Sequence, residues 1–511
     1  MEHKLLTKKT YLYYKYSSLL YDSKVTGSPF VQFFETANSK IWVINPNYTS
    51  IDLSLLEKLD NVKYSVHEIN GIWACIIQDK ISNSFRVITS INNEQPWYYL
   101  NSKIPAVANN IFLLRPYIQE VKPNYRAISS FLSFDFCYGG ETFLSGVRKS
   151  YGGDIIYIND NKLKIVSADL NNWLGFDESI SDRKVILDAF ISATDKILKH
   201  QPAQIPLTGG SDSRAILAAS LYTENNFTFM TGTSPSSDKK DITIARKISK
   251  RLGIKHYEVD ESKSKISDFD TAIEEIAIKT NAEFIPRNWV MLYKEYAMHA
   301  DELNGLSRLM GYRGEIFKGF PFNAIKSFDN KSFFINKDFK NELKDLLYNR
   351  FNTYKELSSL NVNELFYQRE RDHFWVSCNI KSYQNYCHIY TPFSDNNLLS
   401  LGYRFRGGIK NSKLHESALE LLPENIKNLP FQSSLLNRAI RHYKKKVFSN
   451  INYDFMLKPD YLSQNFNMDI INKVVTNEMF NFITKEYRKK GFYDDVVHKM
   501  FAVSYFFKLI Y

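Results

Sequence analysis

Through about residue 165 the apolar residues come in short runs rich in Ile, Val, Trp and Tyr, at 40–45, 71–78, 85–89 and 154–158, parted by clusters of Asn, Ser, Gly and Pro. Runs this short between turn-forming residues predict strands, arranged as a stacked or sandwiched sheet. After Asn171 the period changes. Val185, Ile186, Ala189, Phe190, Ala193 and Ile197 recur at helical spacing, so 182–200 is expected to be a helix capped by Ser181 or Asp182. The loop 170–178 is therefore the expected boundary between an N-terminal domain, 1–170, and a second domain, 180–511.

The second domain opens with a regular alternation. A strand at 204–208 meets a Gly-rich turn and a helix at 213–221, then a strand at 227–231, a helix at 242–252 and a strand at 255–259. Strand and helix units of this length favour a parallel sheet covered by helices on both faces, hence an α/β class for this part. Beyond Ser262 the pattern is mainly helical, with one strand expected at 307–311.

Composition narrows the function classes. With 44% hydrophobic and 24% charged residues over 511 positions, the chain lacks the signature of disorder and can build more than one core. The net charge is +11, but the basic residues are scattered. The densest basic cluster, Arg441 with Lys444, Lys445 and Lys446, is interrupted by His442 and Tyr443, so no nucleic acid partner is expected. Cys75, Cys137, Cys378 and Cys387 form no Cys-x-x-Cys pair and read as free thiols. No run approaches the about 18 apolar residues of a membrane helix, and residues 1–21 interleave Lys with Tyr. A cytoplasmic protein with no membrane partner is expected.

The turn after the first strand of the second domain carries the chemistry. It reads Thr208, Gly209, Gly210, Ser211, Asp212, Ser213, Arg214. Two glycines leading from a strand into a helix let backbone N–H groups approach an oxyanion, and the helix N-terminus adds positive potential. Neither the Walker spacing nor Gly-x-Gly-x-x-Gly is present. Asp212 would repel phosphate unless a divalent cation bridged them, which makes it a candidate Mg²⁺ ligand. The plain alternative is a tight turn in which Ser211 or Asp212 only caps the helix.

Residues 208–213 resemble the Ser-Gly-Gly-x-Asp-Ser pyrophosphate loop of N-type ATP pyrophosphatases, and three further segments resemble the asparagine synthetase class in the same order. They are Thr142, Phe143, Gly146, Val147, Arg148 with Gly153 and Asp154; Gly311, Tyr312, Arg313, Gly314, Glu315, Ile316, Phe317, Lys318, Gly319; and His388 to Asp395 through Thr391, Pro392, Phe393 and Ser394, with Leu398 and Leu399 after. The likeness spans most of the chain and is loose in the first 140 residues and after Asn437. It implies a degenerate glutaminase-like (Ntn-type) β-sandwich, then an adenine-nucleotide α-hydrolase-like parallel sheet domain with a helical C-terminal part. The implied activity is ATP-dependent amide formation, in which a carboxylate is adenylated, pyrophosphate leaves and an amine attacks the acyl-adenylate. The resemblance assigns Mg²⁺ to Asp212 and Glu315, extra donors to Thr208, Ser211 and Ser213, and adenine contacts to Leu207 and Thr231. Gly209, Gly210 and Gly311 join the nucleotide site, and Arg214 or Lys318 is expected to contact pyrophosphate or the substrate carboxylate.

The chain also departs from that pattern. It begins Met1, Glu2, His3, Lys4, where glutamine-dependent members carry a nucleophilic Cys, so no glutamine hydrolysis is expected and nitrogen must come from ammonia or a substrate amine. The patterns at 71–80 and Pro96, Trp97, Tyr98, Tyr99 still resemble the core of the glutaminase domain. His388 stands where the family usually has Glu, as a candidate base or a packed core residue, and Tyr390 replaces an arginine, which argues against plain aspartate as substrate. Lys427, after an expected helix at 412–422, is the candidate lysine for the acyl-adenylate. Arg369, Arg371 and His373 read as the solvated face of a helix, and 487–511 as a core-covering helix. The expected substrate is a carboxylated sugar, small metabolite or peptide, the last by ring closure as in lasso-peptide or β-lactam-type cyclases. A tRNA-modifying enzyme with the same loop and a nucleotide-binding pseudoenzyme are the other readings.

Overall fold

The computed structural model describes residues 12–15, 18–21, 31–44, 52–60, 63–69, 71, 73–92, 96–174, 179–200, 202–223, 227–232, 239–259, 268–283, 289, 293, 307–318, 328–384, 387–430, 464–487 and 492–511. Residues 1–4, Asn45, Glu178, Gly319, Asn437 and the basic cluster 441–446 lie outside them.

The short apolar runs form antiparallel strands: β1 (Leu12–Lys15), β2 (Ser18–Tyr21), β3 (Val31–Glu35), β4 (Ser39–Ile44), β5 (Ala74–Asp79), β6 (Phe85–Thr89), β7 (Tyr98–Leu100), β8 (Ala106–Ala108), β9 (Val147–Lys149), β10 (Ile155–Asn159) and β11 (Lys162–Val166). They make two sheets, ordered β2-β1-β8-β7-β9 and β11-β10-β6-β5-β4-β3. Alternation along a strand sends successive side chains to opposite faces, and both faces of the six-stranded sheet are apolar. Trp42, Ile44, Ala74, Ile76, Phe85 and Val87 meet Trp97 and Val107 from the other sheet. Ile41, Val43, Cys75, Ile77 and Ile88 turn the other way, onto Leu56, Leu59 and Trp73.

Parallel strands follow: β12 (Ala203–Pro206), β13 (Phe227–Gly232), β14 (His256–Val259), β15 (Ser307–Leu309) and β16 (His388–Tyr390). Their order is β14-β13-β12-β15-β16, with every pair parallel. Around the sheets lie α1 (Leu53–Lys58), α2 (Tyr125–Phe134), α3 (Arg183–His200), α4 (Ser211–Ser220), α5 (Lys239–Leu252), α6 (Phe269–Lys279), α7 (Gly314–Phe317), α8 (Lys337–Leu357), α9 (Leu414–Glu420) and α10 (Phe492–Ile510). The chain is thus mixed α/β, with antiparallel sheets, a five-stranded parallel sheet and helices. Both large cores draw residues from either side of 170–180. One joins Phe134 and Tyr138 to Ile205, Leu217 and Phe229. The other joins Tyr98, Phe131 and Val147 to Ile276, Ile389, Phe501 and Phe506, so α10 covers a core as its apolar pattern predicts. Among the described residues no helix is long and apolar enough to cross a membrane, and the four cysteines are buried as thiols.

Two expectations need correction. The sequence predicts no strand at 388–390, because three residues carry too little periodicity, yet β16 pairs with β15 along its whole length. Arg369, Arg371 and His373 do not form a solvated face: they lie on the π-helix Tyr367–Val376, with Arg369 and His373 buried and Arg371 partly so. Arg369 and His373 meet distant backbone carbonyls, which local spacing cannot reveal, and Arg371 lies over the Trp375 ring. Arg369 donates to the Gly152 carbonyl at 3.1 Å, and His373 Nε2 lies 3.0 Å from that of Ser150.

This buried polar layer gives a pH-dependent stability. Asp154 accepts from the Tyr151 N–H at 2.7 Å, and burial pushes its carboxyl up from 3.8 to about 6 despite that bond and the nearby Arg369 charge. The folded state then holds the proton where the unfolded chain has lost it, so this contribution to stability falls as pH rises from about 4 to about 6. The full span is on the order of 3 kcal/mol. Asp154→Asn should therefore gain on the parent protein in urea midpoint between pH 4 and pH 7; parallel curves would refute the assignment.

Candidate active site at the carboxyl edge of the parallel sheet

The sheet order creates the site. From β12 the chain moves outward through β13 and β14, then returns to place β15 on the other side of β12. In open parallel sheets such a reversal opens a crevice beyond the carboxyl ends of the two diverging strands, where ligands bind. The loop after β12 carries Leu207–Gly210 and leads into α4; the loop after β15 carries Met310–Arg313 and leads into α7.

The first loop is built by short-range bonds. Leu207 N–H donates to the Met230 carbonyl at 2.8 Å, and Thr231 Oγ1 donates to the Leu207 carbonyl at 2.8 Å. Thr208 Oγ1 accepts from Gly210 N–H at 3.1 Å and lies 3.0 Å from Ser213 Oγ. Gly210 has ordinary φ, −76°, so its glycine answers to space: a Cβ there would stand 3.2 Å from Thr208 Oγ1. Gly210 is the N-cap of α4 and no side chain caps the helix. The capping alternative is thereby set aside, and the amides of the first turn lack intrahelical acceptors, as at any helix start. Asp241, at the start of α5, accepts from Gly209 N–H at 2.6 Å.

Asp212 is the hub. Its Oδ2 accepts from Lys318 Nζ at 2.5 Å and its Oδ1 from His415 Nε2 at 2.7 Å. The second loop presses against it: a Cβ on Gly311 would lie 2.6 Å from Asp212 Cβ, and one on Gly314 only 2.2 Å from Oδ1. Burial alone would raise the Asp212 carboxyl, but His415 and Lys318 outweigh it and the net direction is down. Glu315 goes the other way, raised by burial first and by the Asp212 charge second. The two acids are thus close enough to repel. His415, buried and stacked on Phe393 (centroids 5.3 Å, 11° between planes), is pushed down by burial and carries its proton on Nε2, towards Asp212. Its Nδ1, the unprotonated acceptor of that tautomer, is buried with no hydrogen-bond partner among the described residues.

The expected site residues therefore divide. Thr208, Gly209, Gly210, Ser211, Asp212, Ser213, Gly311, Glu315 and Lys318 gather at one edge, with Leu207 and Thr231 at the ends of their strands. Arg214 points elsewhere: it is fully buried and donates to the carbonyls of Leu429 and Pro430 at 2.9 and 2.6 Å, tying α4 to that segment. Lys427 faces Glu420 and Glu424. His388 opens β16 and pairs with Ser307, itself level with Ala203 at the start of β12. It is buried and stacked on Tyr390, at the amino edge of the sheet. A base at the carboxyl edge would have to come from elsewhere. Sequence reasoning missed His415 and Asp241. Asp241 abuts the expected start of its helix at 242, which was a usable signal; His415, 203 residues from Asp212, had none.

Among the described residues no group of three or more His, Cys, Asp or Glu forms a metal cage. Mg²⁺ keeps several waters and usually takes one or two carboxylates together with substrate phosphates, so Asp212 and Glu315 fit such an ion. Their mutual repulsion is the feature a shared cation relieves. An open cavity of about 550 Å³ lined by Asn465, Phe466, Lys508 and Tyr511 contains none of these residues.

No family model matches the chain, and no curated protein matches it. Several solved structures are similar in part, two of which serve as examples. One is a glutamine-dependent NAD+ synthetase from Acinetobacter baumannii in complex with ADP, 9% identical, covering 69% of this chain and 54% of that one with a TM-score of 0.19. The other is the glutamine PRPP amidotransferase from B. subtilis complexed with ADP and GMP, 14% identical, covering 47% and 50% with a TM-score of 0.15. This chain spans about half the length of each. At such TM-scores neither likeness carries weight, and the functional reading stands on the geometry of the two loops.

Proposed function

We propose that the chain is an ATP-dependent carbon-nitrogen ligase of asparagine synthetase-like character, which adenylates a carboxylate and passes the acyl group to an amine without hydrolysing glutamine. The observation that carries this reading is the convergence, at a strand-order reversal, of a helix start reached through two glycines with Asp212, Glu315 and Lys318. In the first step a carboxylate oxygen of the substrate bonds to the α-phosphorus as the α–β bridging bond breaks, and pyrophosphate leaves. In the second, an amine nitrogen bonds to the acyl carbon, AMP departs with the bonding pair of the acyl–oxygen bond, and the nitrogen gives up a proton. The first-turn amides of α4 and the hydroxyls around Thr208 bind and orient the phosphates, and Lys318 reaches their charge from the other loop. Mg²⁺, when held by Asp212 and Glu315, supplies countercharge to the pyrophosphate. Residues 1–170 serve in this reading as a glutaminase-like sandwich without glutaminase activity. The carboxylate belongs to a sugar, small metabolite or peptide, and the nitrogen to ammonia or to the substrate itself.

The test is exchange of labelled pyrophosphate into ATP with the full-length protein and a panel of sugar, amino and peptide carboxylates. At least one acid should support exchange, and glutamine should remain intact. Absence of exchange across the panel overturns the ligase reading; glutamine turnover overturns the reading of the N-terminal domain.

A further inference from the structure

We infer that His415 is a positioning residue, which anchors Oδ1 of Asp212 so that Oδ2 faces outward to a divalent cation. This rests on the proposed reading of Asp212 as a cation ligand and assigns the device that orients it. The two oxygens of Asp212 stand in different surroundings. Oδ1 meets His415 Nε2 at 2.7 Å and is backed by Gly314, where an added Cβ would sit 2.2 Å from Oδ1 and 3.1 Å from Nε2. Oδ2 meets the Lys318 ammonium at 2.5 Å, on a side chain still 30% exposed. One oxygen thus turns into the protein and the other towards solvent, where an ammonium already marks a cationic position.

The imidazole is suited to hold that division. It is 7% exposed and lies flat on Phe393, itself fully buried. With Nδ1 buried and unpartnered, the bond to Asp212 is the ring's hydrogen bond among the described residues. The ring plane is fixed by stacking, its donor points at Oδ1, and a side chain longer than glycine at 314 would displace both. Carboxylates that bind metal are commonly oriented by such an outer hydrogen bond, and losing it typically weakens metal binding about 10–100-fold.

The experiment reads binding of Mn²⁺, by the resonance of the free ion, to full-length protein holding α,β-methylene-ATP, which cannot be cleaved at the α–β bond. His415→Ala and His415→Phe should both weaken Mn²⁺ by about 10-fold or more, whereas His415→Gln, which keeps a nitrogen donor, should bind close to the parent. His415→Phe keeps an aromatic ring against Phe393, so parent-like binding by that variant overturns the inference. So does a His415→Gln variant that is folded, by circular dichroism, yet as weak as alanine. If Asp212→Ala loses Mn²⁺ but His415→Ala does not, the positioning role alone fails. If Asp212→Ala itself retains parent-like Mn²⁺ binding, the metal reading of Asp212 fails.

Discussion

Asp212→Ala should lower substrate-dependent pyrophosphate exchange by at least about 10²-fold, the scale of losing one preorganised electrostatic group from a phosphoryl or acyl transfer site. The variant should nonetheless fold. Asp212 is partly exposed, and its removal leaves a neutral His415 and a Lys318 that can turn to water, so no buried charge is stranded. The stability cost is accordingly that of one charge-assisted hydrogen bond and a partly buried ion pair, about 1–3 kcal/mol. Asp212→Asn tests charge apart from shape. It keeps an oxygen for His415 but offers a cation no negative charge, and it should be nearly as inactive as alanine. Exchange within about 3-fold of the parent in either variant would remove Asp212 from the chemistry.

Arg313→Ala should be the more damaging change to the fold, costing about 3–5 kcal/mol. Arg313 is 2% exposed, donates to the Asn92 carbonyl at 2.9 Å and to the hydroxyls of Ser394 and Ser377 at 3.0 Å, and faces Asp372 at 2.9 Å. Asp372 is equally buried, and burial pushes its carboxyl up to about 6 even with that guanidinium beside it. Removing the cation alone strands the acid. The double variant Arg313→Met with Asp372→Leu removes both charges and should recover part of the loss in a urea titration; additive losses would show that the pair is not coupled. Activity should fall with stability, because Arg313 occupies the left-handed backbone region (φ 70°) that turns the second loop onto Asp212.

Much of the local structure was legible. The strand at 85–89 has its expected bounds, α3 begins one residue later than expected at Arg183, and α4 begins two residues early, at Ser211. These elements rest on periodicity and on turn residues, which are encoded within a dozen positions. The strand-turn-helix at 204–221 was readable for the same reason, whereas the second loop, 311–319, was singled out only by its resemblance to a family segment. What was not legible shares a different cause. His388 carried a plausible chemistry but sits at the amino edge of the sheet, and which edge a residue meets depends on the register of β16 against β15. Arg214 lies two positions from Asp212 in sequence, yet two steps round the helix turn it to Leu429 and Pro430.

By itself the sequence determined most of the elements, the glycine turn that leads into a helix start and Asp212 within it, because hydrophobic period and turn chemistry are local properties of a chain; Glu315 came only from the resemblance of its segment to a known family. Only the tertiary structure decided that β15 lies against β12, which brings Glu315 and Lys318 to Asp212, and that His415 closes the site from α9. Strand order in a parallel sheet is set by how the crossover helices pack, and that packing depends on contacts between residues hundreds of positions apart.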